Sequence, residues 1–260
     1  MKVGFEEYAA AYEHVRMERH DGIVLLQLHS GGGPLVWGDG PHTELGECFA
    51  DVGTDPDNRV VILTGAGDRF IGGLDDSWVG PMTPAKWDKI FQHGRRLLVN
   101  LLDIEVPVIA AVNGPARIHA ELAVLSDIVL AADTADFQDQ PHFRFGTVPG
   151  DGVHVVWPHL LGENRGRYFL LTAQRLSAAE AHALGVVNEV LPGDQLLDRA
   201  WELARLLARQ PDTTLRYARA ALTQRWKRLL GDALGFGLAL EGLGAYASWP
   251  TERHRPGERS

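Results

Sequence analysis

The sequence predicts an α/β protein whose C-terminal third is helical. Two observations support this fold class. Short apolar runs alternate with amphipathic segments of helical period through the first two thirds of the chain, and from Gly193 onward almost every residue follows a helical pattern. Strands that alternate with helices indicate a sheet covered by helices, to which the last segment adds an α-helical extension.

Five segments have the composition of strands. The middle three are near-continuous apolar runs, as is typical of strands that are covered on both faces. The second of the five is rich in β-branched residues and ends at a glycine, which marks a turn. In chain order the predicted strands are Gly22–His29, Arg59–Gly65, Pro107–Gly114, Ile128–Asp133 and Val186–Leu191.

Helical patterns lie between and after these strands. Apolar residues of Pro84–Leu102 recur at spacings of three, four and seven, which predicts one buried face. Ser177–Gly185 opens with a serine suited to an N-cap and closes on glycine. The remaining predicted helices are Ala120–Asp127, Glu163–Thr172, Asp194–Gln210 and Pro211–Ala247.

These patterns divide the chain into three parts. We expect an α/β core over residues 1–192 and a helical region over residues 193–250. Residues 251–260 are polar and are expected to form a disordered tail.

Composition excludes several classes of protein. Acidic residues outnumber basic ones by 34 to 25, giving a net charge of −9, which disfavours nucleic acid as a partner. No apolar run reaches the length of a membrane span, and the N-terminus lacks the apolar region of a signal peptide. Cys48 is the single cysteine and has no internal disulfide partner. Together these features predict a cytoplasmic protein without membrane contact.

Common cofactor and metal motifs are absent from the sequence. The glycine pattern of Gly65–Phe70 lacks the third glycine of a dinucleotide fingerprint, and there is neither a phosphate-binding loop nor a nucleophile elbow. His154 and His159 are five positions apart, so a helix would place them on different faces. We therefore predict neither a cofactor nor a metal.

Five fragments in order resemble the crotonase, or enoyl-CoA hydratase/isomerase, superfamily. They are VVILTGAGDRF, PVIAAVNG, SDIVLAAD, FGTVPGDG and ALGVVNEVL, and the similarity covers Gly22 to Ala247. The resemblance implies a spiral of ββα units with a C-terminal α-helical trimerisation region. It also implies a homotrimer or a dimer of trimers.

The sequence departs from the usual pattern of that superfamily at three places. The resemblance implies that backbone N–H groups of Phe70–Asp76 and Asn113–Leu122 hold a thioester oxygen, yet His119 stands where a glycine is expected. Glu121 matches a family acid/base position. His142 replaces a second acid/base carboxylate, and Asp151 falls where some isomerases have a catalytic aspartate. The loop Ser30–Gly40 contains Trp37 in place of the usual polar segment.

At these positions the sequence resembles one branch of the superfamily, the β-diketone hydrolases typified by 6-oxocamphor hydrolase. The branch cleaves a carbon–carbon bond of non-enolisable cyclic 1,3-diketones without CoA. The resemblance rests on His119, His142, Asp151 and Trp37, and Glu241 matches a polar active-site position of the branch. It implies a small-molecule diketone as substrate and a chiral keto acid as product.

The chemistry suggests a role for each of these residues. A retro-Claisen cleavage needs an activated water, for which His142 is the candidate base and Asp151 the carboxylate that orients it. His119 and Trp37 are candidate donors to the leaving enolate. The candidate substrate contacts are Trp37, Glu241, Trp78 and Phe143, and Phe145 and Leu74 add to an apolar pocket.

Other interpretations stay open at this point. A CoA-dependent hydratase or isomerase with a rearranged site is one, and a non-catalytic trimeric binding protein is another. Individually, Trp37 also fits a core residue, Glu241 a salt bridge between subunits, and Glu121 a helix-start carboxylate. Bicyclic, monocyclic and linear diketones all agree with the sequence.

Overall fold

The computed structural model describes residues 4–76, 78 and 81–248, and the predicted tail 251–260 lies outside this range. The strands are β1 Val15–His20, β2 Ile23–Ser30, β3 Gly33–Pro34, β4 Val36–Trp37, β5 Val60–Gly65, β6 Gly73–Leu74, β7 Val108–Val112, β8 Ile128–Ala132, β9 Asp136–Phe137, β10 Leu176–Ser177 and β11 Glu189–Leu191. The helices are α1 Phe5–Ala9, α2 Asp39–Thr54, α3 Pro84–Asp103, α4 Glu121–Val124, α5 Val153–Leu161, α6 Glu163–Thr172, α7 Ala178–Ala183, α8 Gly193–Leu207 and α9 Asp212–Ser248, with a 3₁₀ turn at Phe143–Phe145.

The main sheet of the described residues has the strand order β1-β2-β5-β7-β8-β11, and β3 pairs with β2. The hairpin of β1 and β2 is antiparallel, and every pairing from β2 to β11 is parallel. The five predicted strands are β2, β5, β7, β8 and β11, so the α/β prediction is confirmed. All residues of β5 and β7 are buried, as expected for strands covered on both faces.

Helices pack on the sheet and on one another. Buried Leu196, Ala200 and Ala204 of α8 belong to the hydrophobic core, and α8 packs on β5, β7 and β8. The long helix α9 packs on α3 and α5. The indole N–H of Trp87 in α3 donates to the carbonyl of Leu238 in α9 over 3.1 Å, which fixes these two helices relative to each other. The predicted helical C-terminal region is thus confirmed as α8 and α9.

The sequence analysis missed β1, α2 and α5. The segment of α2 begins with Asp39, Gly40 and Pro41, and we placed the first two of these residues in the loop Ser30–Gly40. Proline is compatible with the first turn of a helix, because the N–H groups there have no partner within the helix. The missed signal was the helical spacing of buried apolar residues, which are Leu45, Cys48, Phe49 and Val52.

Within the described part of the chain, no helix is both long and apolar enough to cross a membrane. Even α9, at 37 residues, is interrupted by charged residues.

Candidate active site

Two loops that follow neighbouring parallel strands are held together by one side chain. Asn113, after β7, accepts a hydrogen bond from the backbone N–H of Gly65 at the end of β5 over 3.1 Å. Its amide donates to the carbonyl of Gly67 over 2.9 Å. Parallel strands bring their carboxyl ends to the same edge of a sheet, which is where α/β proteins place their sites. This edge leads into the segment that contains His119.

His119 has a left-handed backbone conformation. Its φ of 47° lies in the region that favours glycine, the residue that the resemblance led us to expect at this position. The side chain Nδ1 lies 2.5 Å from Oε1 of Glu121, at the start of α4. Burial lowers the pKa of His119, but the carboxylates of Glu121 and Asp151 more than compensate, and the pKa is raised. A protonated His119 is therefore favoured.

His142 lies in the turn between β9 and α5, and both of its ring nitrogens face carboxylates. Nδ1 lies 2.6 Å from Oδ1 of Asp139. Nε2 lies 3.4 Å from Oδ2 of Asp151 and 3.6 Å from Oε1 of Glu241. This corrects one expectation: we predicted that Asp151 orients His142, but the carboxylate that accepts the short hydrogen bond of the ring is Asp139, whereas Asp151 lies at the opposite nitrogen.

Asp151 stands between the two histidines. Its Oδ2 lies 3.4 Å from Nε2 of His142 and 3.6 Å from Nδ1 of His119. Burial would raise the pKa of Asp151, but the two histidines lower it below its usual value. The ionised carboxylate is thus held where it can interact with both imidazoles.

Two glycines allow α9 to approach this loop and place Glu241 in the site. A Cβ on Gly150 would lie 2.2 Å from the carbonyl oxygen of Gly237, and a Cβ on Gly237 would lie 2.1 Å from the ring of His154. Glu241 follows one turn after Gly237 on α9. Burial raises the pKa of Glu241 to about 7, so this carboxyl exchanges its proton near neutral pH.

Trp37 forms one wall of the cluster. It is fully buried, and its ring centroid lies 3.9 Å from that of His119 with the planes tilted by 38°. Among the described residues the indole Nε1 has no hydrogen-bond partner. Since a buried donor without a partner is costly, this N–H is suited to a ligand oxygen. β4, which contains Trp37, pairs with β6 in the loop Phe70–Asp76.

The sequence analysis missed His42, which extends the cluster from α2. Its ring centroid lies 5.9 Å from Trp37, 6.5 Å from His119 and 5.2 Å from Trp78. Burial, followed by the neighbouring His119, lowers the pKa of His42 to about 3, so this imidazole is neutral. Because α2 was not predicted, the sequence offered no way to place the side chain of His42 relative to the site.

The structure brings together most of the predicted site residues. His119, His142, Asp151, Glu241 and Trp37 form one buried cluster, and Trp78 joins it through His42. Phe143 and Phe145 are different. Their side chains are 49% and 40% exposed in this chain, so they lie outside the buried cluster, and their contact with a substrate stays a prediction.

The cluster also contains donor sets of the kind that bind metal ions. His119, Glu121 and Asp151 form one, and His142, Asp151 and Glu241 form the other, each with ligand atoms within 4.8 Å of one another. Within each set both carboxylates have an oxygen within 3.6 Å of a nitrogen of the histidine, so the same arrangement also suits proton exchange.

Comparisons with known proteins agree with this architecture. The enoyl-CoA hydratase/isomerase family matches residues 38–238, and the chain belongs to this family of the crotonase superfamily. Among solved structures, the chain is similar to a β-diketone hydrolase of the cyanobacterium Anabaena sp. PCC 7120, bound to (S)-3-oxocyclohexyl acetic acid. The identity is 49%, the coverage 94% of this chain and 99% of the other, and the TM-score 0.92.

Relatives with CoA-ester names are more distant in sequence. A 1,2-epoxyphenylacetyl-CoA isomerase of Escherichia coli is 35% identical over 73% of this chain and 74% of its own length. A crotonyl-CoA hydratase of Syntrophomonas wolfei is 28% identical over 82% of this chain and 83% of its own length. A solved enoyl-CoA hydratase/isomerase of Mycobacterium paratuberculosis is 26% identical, covers 90% of this chain and 94% of its own, and has a TM-score of 0.84. The crotonase fold is thereby shown.

Proposed function

We propose that this protein is a β-diketone hydrolase that cleaves a carbon–carbon bond of a non-enolisable bicyclic 1,3-diketone with water. The main support is one arrangement: His142, with Asp151 at its Nε2, shares a buried cluster with His119 and the unpaired indole N–H of Trp37. A base on one side and donors on the other are what a retro-Claisen hydrolysis needs. The similarity to the Anabaena β-diketone hydrolase supports the same reaction class.

The reaction consumes one water and one diketone. The base takes a proton from water as the oxygen adds to one carbonyl carbon, which gives a tetrahedral oxyanion. When this intermediate collapses, the bond to the central carbon breaks and that carbon leaves as the enolate of the second ketone. A proton then returns to the enolate carbon, so the product is a keto acid. Where the two carbonyls are mirror images of each other, attack at only one of them makes the product chiral.

His142 and Asp151 are proposed to activate the water together. Burial lowers the pKa of His142, but the nearby Asp139 and Asp151 raise it well above its usual value. Since a base must accept a proton, activity should increase as the pH rises through this raised pKa. The apparent pKa then belongs to the coupled group of His142, Asp151 and Glu241.

The second carbonyl is proposed to face His119 and Trp37. An imidazolium donates strong hydrogen bonds, and the raised pKa of His119 favours that form. The indole N–H of Trp37 can only donate. Both groups therefore suit an oxygen that becomes an enolate oxygen, and each such donor typically contributes about 3 kcal/mol to lowering the barrier.

The ligand of the Anabaena protein suggests a first substrate. Joining the acid carbon of 3-oxocyclohexyl acetic acid to the ring carbon on the far side of its ketone gives bicyclo(2.2.2)octane-2,6-dione. In this diketone the central carbon is a bridgehead and cannot form an enol. A mirror plane relates its two carbonyls, so attack at one of them gives one enantiomer of the keto acid.

Turnover of this diketone without CoA tests the proposal. We expect the purified protein to convert it to one enantiomer of 3-oxocyclohexyl acetic acid, measured by chiral chromatography. His142→Ala and Asp151→Asn should lose most of the activity, whereas His20→Ala, which changes an exposed histidine, should retain it. No turnover of this or of related bicyclic diketones would refute the proposal.

CoA-ester hydration is the second candidate, because the more distant relatives have such names. One observation disfavours it. Glu121 matches a family acid/base position, but its Oε1 is within 2.5 Å of His119 and is therefore engaged. Crotonyl-CoA in parallel reactions distinguishes the two candidates, and inactivity on both substrates would favour the non-catalytic interpretation.

We also propose that the protein forms a homotrimer or a dimer of trimers, and that α9 contributes to the contacts between subunits. Exposed large apolar residues on this helix support subunit contacts, and they include Phe236, Leu240, Leu243 and Tyr246. Light scattering coupled to size-exclusion chromatography should give three or six times the mass of 28.5 kDa. A monomeric mass would contradict this proposal.

A further inference from the structure

We propose that Asp139 is the positioning residue of His142: its carboxylate keeps the proton on Nδ1, so that Nε2 is the nitrogen that takes the proton of water. This inference rests on the proposed function. It assigns a role to a residue that lies outside the motifs of the sequence.

The contact between the two side chains is short and buried. Asp139 Oδ1 lies 2.6 Å from His142 Nδ1, and the side chains are 2% and 6% exposed. Asp139 Oδ2 has no hydrogen-bond partner among the described residues. The carboxylate therefore makes its hydrogen bond to His142 in a place where water does not screen it.

Backbone hydrogen bonds hold the main chain of His142, whereas its imidazole ring is oriented by Asp139. The carbonyl of His142 accepts hydrogen bonds from the N–H groups of Phe145 over 2.8 Å and Thr147 over 3.1 Å. These contacts hold the main chain at the turn and do not restrain rotation of the imidazole. Asp139, three residues earlier, is the group whose hydrogen bond selects the orientation of the ring.

Hydrogen-bond chemistry then determines the tautomer. A neutral imidazole has one N–H donor and one acceptor nitrogen, and an ionised carboxylate only accepts. In the neutral ring the proton is therefore on Nδ1, the nitrogen that contacts Asp139, and the lone pair is on Nε2. Nε2 is the nitrogen that faces Asp151 and Glu241, where the water and the substrate carbonyl would react.

Several charged groups face His142, and Asp139 is the closest. The carboxylates of Asp139, Asp151 and Glu241 raise the pKa of His142, against the effect of its burial. Two histidines are also close in charge terms, since His142 lowers the pKa of both His119 and His154. Removing only the charge of Asp139 should therefore lower the pKa of His142 and weaken it as a base.

Two substitutions test Asp139 at increasing severity. Asp139→Asn removes the charge but keeps the size of the side chain, and its amide can either accept from Nδ1–H or donate to an unprotonated Nδ1. We expect the acid limb of kcat/KM against pH to move to lower pH and the plateau to fall about tenfold. Asp139→Ala removes the acceptor as well, and kcat should fall about 10²-fold, a typical contribution of general base catalysis.

A matched control and a direct readout complete the test. Asp55→Asn changes another carboxylate that is mostly buried and hydrogen-bonded, at the C-terminal end of α2 with Tyr8 and Arg19 as partners, and should leave both the plateau and the acid limb unchanged. Nitrogen-15 NMR of His142, recorded at a pH above its raised pKa so that the ring is neutral, should show the Nδ1–H tautomer in the wild type and a mixture of tautomers in Asp139→Asn and Asp139→Ala.

The outcomes distinguish the failure of this inference from failure of the proposed function. If the wild type hydrolyses diketones but Asp139→Ala keeps kcat within twofold and the acid limb stays in place, Asp139 does not position His142. An Nε2–H tautomer in the wild type refutes the inference regardless of activity. If the wild type hydrolyses no diketone but shows the Nδ1–H tautomer that Asp139→Ala loses, the proposed function fails and the positioning of His142 by Asp139 stands.

Discussion

Replacing Trp37 by phenylalanine removes the indole N–H and keeps an aromatic ring against His119. In the structure this N–H is buried and has no partner among the described residues, so the substitution breaks no hydrogen bond within the chain. If the N–H donates to the enolate oxygen, the loss of about 3 kcal/mol of transition-state stabilisation lowers kcat roughly 150-fold. The free energy of unfolding should change by less than about 2 kcal/mol, because the substitution removes part of the buried ring volume but no hydrogen bond of the chain.

The assay is steady-state turnover of bicyclo(2.2.2)octane-2,6-dione at the pH of maximal activity, with thermal unfolding followed in parallel. Trp157→Phe is the matched control, because Trp157 is also fully buried and its indole N–H also lacks a partner in the described chain, but its ring contacts Phe137 and Phe169. We expect Trp157→Phe to keep kcat within about threefold. A Trp37→Phe variant as active as this control would refute the donor role of Trp37.

Three further predictions follow from the site. The pKa of His142 is raised, so kcat/KM should fall as the pH is lowered through a value above its ordinary 6.5; a profile that is flat from pH 6 to 9 would contradict a histidine base. Gly237→Ala places a methyl group 2.3 Å from the carbonyl oxygen of Gly150, so it should destabilise the fold by about 1–3 kcal/mol and reduce kcat. Gly231→Ala, in open space on the same helix, should do neither, as thermal unfolding and turnover would show. Dialysis against a chelator should leave diketone turnover unchanged, because the proposed steps need proton transfer and hydrogen bonds but no metal ion. If chelation abolished turnover and zinc or magnesium restored it, the two donor sets would be assigned to a metal.

Much of the fold could be predicted because its strands have a simple signature. Parallel strands covered on both faces are continuous apolar runs, and β5, β7 and β8 have that pattern. The edge strand β1 was missed because alternate residues of Val15–His20 face solvent and the run contains three charged residues. Burial on a single face leaves a weaker pattern in the sequence.

The site was predictable only where the chain departs from a known pattern. His119 stands where the resemblance implies a glycine, and His142 replaces a carboxylate, so both departures were visible in the sequence. Asp139 did not, because an aspartate outside regular elements is normally solvated, and no pattern in the sequence predicts that this one lies buried against His142. The sequence also gave no sign that the turn would leave Phe143 exposed.

The central claim is that water attacks a diketone carbonyl at His142. The most direct measurement is turnover of bicyclo(2.2.2)octane-2,6-dione in oxygen-18-labelled water without CoA, with the product analysed by mass spectrometry. We expect one labelled oxygen in the carboxyl group of 3-oxocyclohexyl acetic acid, a single enantiomer, and loss of the reaction in His142→Ala. An unchanged diketone, together with hydration of crotonyl-CoA by the same preparation, would contradict the account and assign the site to thioester chemistry.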